Sequence, residues 1–178
     1  MGHEAAAGFD EMTSSNIKMQ GELEALIAEF DRVRAELLYA VAMVPSHLRH
    51  EPFVGMWDVR DVIAHTVGWD YTNIEALPDF RVGRLPAFFA RYDKDWAAIN
   101  ADLVARYRLE DWDALMASLH DSQRAFVDAM RTLSDADLKN VTLWGERRIS
   151  LRGMMRAVSR DESEHVQQVR DFIAERAP

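Results

Sequence analysis

The 178-residue chain is long enough for one domain with a real core, and its 48% hydrophobic and 29% charged content is ordinary for a globular protein. A net charge of -9 without a dense Lys/Arg cluster argues against direct nucleic-acid binding, which needs grouped cations, and favours neutral or cationic small molecules over anions. The absence of cysteine excludes disulfides, thiolate ligands and a cysteine nucleophile and fits a cytoplasmic protein, and no apolar run approaches the roughly 18 residues of a membrane span.

The opening residues 1–14 lack the basic start and apolar centre of a secretory signal and are expected to be disordered, leaving 15–178 as a single domain. From Asn16 to Val44 an apolar stripe (Ile17, Leu23, Leu26, Ile27, Phe30, Val33, Leu37, Leu38, Val41) predicts a helix, with Ser14 or Ser15 as cap and Pro45 as stop. The polar linker that follows carries His47 and His50, a pair that reads as solvated for want of further ligands. A second helix is predicted from Asp58 to about Ala76, closed by Pro78. Asp58 and Asp61 stand as a capping box with Asp in place of the usual Glu.

Residues 77–91 read as a loop apolar enough (Phe80, Leu85, Phe88, Phe89) to pack down as a lid. A third helix is expected over Tyr92 to Tyr107, breaking near Arg108, with Asp111 capping a continuation to Ser134. Residues 139–149 form a connector that turns at Trp144-Gly145 and allows a short extended piece. The last helix starts at Ser150 and runs to about Glu175. Its stripe, Leu151, Met155, Val158, Glu162, His165, Val169 and Phe172, has two polar residues in its middle. No phosphate-loop, dinucleotide or serine-hydrolase motif occurs. The pattern is all-α: a four-helix bundle with a long middle connection.

The chemistry sits on two of these helices. His65 lies on the apolar side of the second helix and needs a partner. On the last helix Asp161 and Glu162 are four and three residues before His165, so either acid can share its face. If His65 stands at the same level, two imidazoles and a carboxylate converge, a set that suits a divalent Zn, Ni, Mn or Fe ion with open positions. The spacing leaves open which acid faces His65. Glu162 and Glu164 are candidate general bases beside His65 and His165, and Trp57, Trp69 and Trp96 are candidate walls of a small-molecule pocket.

The stretch W-D-V-R-D-V-I-A-H-T-V-G-W (57–69), followed far downstream by D-E-S-E-H-V-Q-Q (161–168), resembles the DinB-like superfamily of four-helix bundles. The segment ARYDKDWAAINADLVARY (90–107) and the Trp69-Asp70 pair are most similar to its ClbS/DfsB branch. The superfamily implies a metal site with one histidine from the second helix and a His-x-x-x-His pair from the last, which maps onto His65, Asp161 and His165. Asp161 departs from that pattern but remains a ligand for a hard cation. The branch implies a protective enzyme that adds water to an electrophilic small molecule, with or without a metal. Two alternatives are a mycothiol- or bacillithiol-dependent transferase or isomerase and a non-catalytic sequestering protein. A homodimer is compatible with a bundle of this size, through a helix face left apolar.

Overall fold

In the computed structural model the backbone is described over residues 7–92 and 95–176, and the side chains over 21–91 and 95–176. Residues 1–6 of the segment expected to be disordered, and the side chain of Ile17, lie outside the described residues. Helix α1 spans Ala7–Ala42, so it starts before Ser14 and Ser15. It is followed by α2 (Val59–Arg81), α3 (Ala87–Tyr92), α4 (Trp96–Tyr107) and α5 (Trp112–Met130). A hairpin of β1 (Val141–Trp144) and β2 (Arg147–Ser150) then leads directly into α6 (Leu151–Arg176). Among the described residues no helix is long and apolar enough to cross a membrane.

The helix starts follow side-chain chemistry. Asp58, Asp95 and Asp111 each accept backbone N–H bonds from the first turns of α2, α4 and α5, which those turns would otherwise leave unmet. Ser150 Oγ accepts from Gly153 N at 3.0 Å at the start of α6. The expected end of α2 at Pro78 is corrected: the helix runs through the proline to Arg81. Proline there removes one backbone donor near the end of the helix, and the real stop is Gly83 at φ +67°. Beside it Gly83 N and Arg84 N bond back to Phe80 O and Asp79 O. The expected loop at 77–91 therefore splits between the last turn of α2 and the short α3.

Helices α1, α2, α5 and α6 form the bundle. Helix α1 packs on α5 and α6, α2 packs on the same two from the other side, and α4 lies against the outside of α2. The core falls into two apolar clusters. One holds Phe30, Phe80, Phe126, Met130 and Leu151; the other holds Leu37, Val41, Ile63, Leu115 and Val169. Each such side chain stabilises the fold by about 1.5–3 kcal/mol through burial.

Gly68 sets how closely α4 approaches. A Cβ there would stand 2.7 Å from Leu103 Cβ, which is fixed to the α4 backbone and cannot give way by rotation. Gly68→Ala should therefore destabilise the protein by about 1–3 kcal/mol through overpacking. The urea midpoint reads this directly, and an unchanged midpoint would mean that α4 is free to move aside.

Candidate metal centre and its cavity

The site begins at the N-terminus of α2. Asp58 Oδ1 accepts from Arg60 N and Asp61 N at 2.8 and 3.1 Å, and Asp61 Oδ2 accepts from Asp58 N at 3.0 Å. Arg108, at the α4–α5 junction, donates to both carboxylates and ties the cap to the middle connection. One turn further along α2, His65 is 4% exposed. Its ring centroid lies 4.9 Å from that of Trp57 and 5.1 Å from that of His165.

Asp161 and His165 are one turn apart on α6, so they share a face. Asp161 Oδ2 is 3.3 Å from His65 Nε2 and 3.7 Å from His165 Nε2. One ligand atom from each of the three residues falls within 4.8 Å of the others. Donors at about 2.1 Å from a shared tetrahedral ion stand about 3–4 Å apart, so the cluster is close to the size an ion requires. The question the spacing left open is thus answered: Asp161 faces His65, and Glu162 is turned about 100° away around the helix.

The donor set is prepared for a cation. His165 Nδ1 is 2.8 Å from Gln168 Oε1, an acceptor, so this nitrogen carries the proton. Its Nε2 then presents a lone pair and is a buried atom without a hydrogen-bond partner. Burial holds the His165 imidazole below the usual histidine range, with His65 opposing a second positive charge and Asp161 pulling the other way. Burial pushes the Asp161 carboxyl up, but its bond to His65 and the two imidazoles prevail and hold it below the ordinary carboxylate range. The Asp161 side chain is 53% exposed, which leaves the centre open on that side. Gln168→Leu should weaken binding of zinc by about 10–100-fold by releasing the imidazole. Competition with a chelating dye measures this, and unchanged affinity would show that Gln168 does not orient the ring.

Behind the centre lies a layer that sequence reasoning missed. Arg34 of α1, fully buried, donates through Nε and Nη2 to Glu162 at 2.9 and 2.5 Å. Its Nη1 and Nη2 each reach an Asp70 oxygen at 2.9 Å, and Ser122 Oγ donates to Asp70 at 2.6 Å. Each of the four bundle helices supplies one residue, and the layer separates the two apolar clusters. Both Glu162 oxygens are committed to Arg34. Burial drives the Glu162 carboxyl up to about 7 against the pull of Arg34, with Asp70 and Asp161 adding to the rise. The readable signal was Arg34 itself, a charge set in register between Phe30 and Leu37.

The centre opens into a cavity of about 660 Å³, a size suited to small-molecule sites. Trp69 and Trp96 line it, together with Phe88, Phe89 and Trp144. Trp69 Nε1 donates to Asn100 Oδ1 at 3.1 Å, and its ring centroid lies 6.1 Å from that of Trp96 and 5.7 Å from that of Phe88. Trp57 is not one of the lining residues; it covers the His65 ring instead. Glu164 is exposed and reaches the cavity wall near Asp161. His47 and His50 are exposed and join no metal-binding cluster among the described residues.

Residues 29–169 match the family model described as the DinB superfamily. The chain is also similar in fold to YfiT from Bacillus subtilis, described as "a probable metal-dependent hydrolase with an unusual four-helix bundle topology". The TM-score is 0.60 at 17% identity, over 88% of each chain. No curated protein matches.

Proposed function

We propose, from the premise that this chain belongs to the DinB superfamily, that it is a metal-assisted hydrolase. Its substrate would be an electrophilic small molecule neutralised by addition of water, as in the ClbS/DfsB branch that its motifs resemble. The carrying observation is the convergence of His65, Asp161 and His165 at one end of an aromatic-walled cavity. The description of YfiT as a probable metal-dependent hydrolase agrees with this reading.

A divalent ion held by these three residues would supply a Lewis acid at the cavity end. The protein's own groups do the rest. Gln168 keeps the proton on His165 Nδ1 and so keeps Nε2 available. Asp161 stays ionised under the influence of both imidazoles. Arg34 holds Glu162 out of the reaction, which leaves Glu164, exposed at the wall, as the carboxylate placed to take a proton from attacking water. Trp69 and Trp96 hold the apolar body of the substrate and exclude solvent from it.

The test is turnover of a panel of activated esters, lactones and epoxides by protein supplied with Zn, Mn, Ni or Fe. At least one should be hydrolysed, and a chelator should stop the reaction. Hydrolysis indifferent to chelation, turnover only with an added low-molecular-weight thiol, or stoichiometric capture without turnover would each overturn the proposal.

A further inference from the structure

The cavity is polarised along its length, and its far end carries groups that the hydrolytic centre does not use. Asn73 lies eight residues after His65 on the same face of α2, about 12 Å along the helix axis. It is 2% exposed, lines the cavity, and its Nδ2 is a buried donor without a partner. An orphaned amide in a cavity wall is costly unless something that enters the cavity accepts from it.

Arg147 and Arg148 line the same cavity from the hairpin strand β2. They immediately precede α6, whose first residue, Leu151, is ten residues and about 15 Å along the helix from Asp161. Both are exposed, and neither side chain makes an ion pair or hydrogen bond among the described residues. The N-terminus of α6 opens at this end as well, with Ser150 and Gly153 in the wall. The lining acids lie elsewhere: Asp70 and Glu162 are both bound to Arg34, and Asp161 and Glu164 belong to the metal-centre end.

The geometry points to an elongated substrate with a carboxylate at one end. The carboxylate is held by Arg147, which shares its strand face with the cavity-lining Trp144, and accepts from Asn73 Nδ2. Arg148, on the opposite face beside exposed Leu143, adds only positive potential at the rim, and an apolar middle lies on Trp69 and Trp96. The reacting group is thereby placed at the His65 end, the one part of this inference that rests on the hydrolase reading. The net charge of -9 repels anions at long range, so selectivity for a carboxylate must come from the local positive charge of β2, with Arg147 on the cavity face.

Phenylhexanoate, its neutral carboxamide and phenylhexylamine share a length and an aromatic end and differ in the charge of the other. Titrated against the full chain by quenching of tryptophan fluorescence, the carboxylate should bind about ten-fold tighter than the carboxamide, and the amine weakest. The preference should vanish in the Arg147→Ala/Arg148→Ala variant, whose substitutions are at exposed positions and leave the core intact. Asn73→Leu should weaken carboxylate and carboxamide alike, because both carry an acceptor oxygen. Equal binding of all three probes, binding of none, or a carboxylate preference that survives the double arginine variant would overturn the inference. Metal binding, measured on the same samples, separates the two readings. Carboxylate preference without metal binding removes the hydrolase reading alone, and metal binding without carboxylate preference removes only this inference.

Discussion

Replacing Arg34 by Met is expected to destabilise the protein by about 3–5 kcal/mol, because it leaves Asp70 and Glu162 as buried carboxylates without their counter-ion. Net stabilities lie near 5–15 kcal/mol, so most of the margin would go. At about 2–4 °C per kcal/mol for a chain of this size, the melting temperature should fall by about 10 °C. The loss should depend on pH. Glu162 already titrates near 7 with Arg34 present, and removing the cation moves it further up. An acid whose folded pKa is raised stabilises the fold below its unfolded pKa and loses that contribution as pH rises. The variant's deficit should therefore be smallest near pH 5 and widen towards pH 8. Replacing Arg34, Asp70 and Glu162 together by apolar residues should recover much of the loss. A pH-independent deficit, or none, would mean that the layer is not an ionic one.

His165→Ala is the second large effect. Two donors, His65 and Asp161, remain, and affinity for a divalent ion should fall by about a hundred- to a thousand-fold if each ligand contributes about 3–4 kcal/mol. Turnover should fall with it, while circular dichroism reports an intact bundle. In the unaltered protein, binding requires neutral His65 and His165 and an ionised Asp161. Because burial holds the His165 pKa below the ordinary histidine value, proton competition at His165 should set in only beneath about pH 6.5. The same shift destabilises the fold in acid: the unfolded chain takes up the proton first, so stability falls as pH drops. If the affinity advantage over the His165→Ala variant is lost already above about pH 6.5, the placement of His165 is contradicted.

The helices were legible because period and caps agree. Asp58 and Asp111 mark their starts by hydrogen bonds that an aspartate makes before an apolar run. The third helix, expected from Tyr92, starts instead at Trp96, with Asp95 as a cap that the pattern did not single out. Pro78 misled because a proline near a helix end removes little, and the left-handed Gly83 was the true stop. His65, Asp161 and His165 were found as a set, but choosing Asp161 over Glu162 needed the rotation of α6 about its axis. That rotation is set by Arg34, and its significance depends on Asp70 and Ser122 from distant parts of the chain. Long-range partners of this kind leave no local period to read. Trp57 carried the same signal as Trp69 and Trp96, and only the packing shows that it covers His65 rather than the cavity.

The central claim is that His65, Asp161 and His165 hold one divalent ion. Elemental analysis of chelator-treated protein, reloaded separately with Zn, Ni, Mn and Fe and desalted, tests it most directly beside the His165→Ala variant. The account predicts about one metal per chain for at least one of these ions, with the metal lost in the variant. No bound metal under any loading condition, or equal metal in the variant, would contradict it.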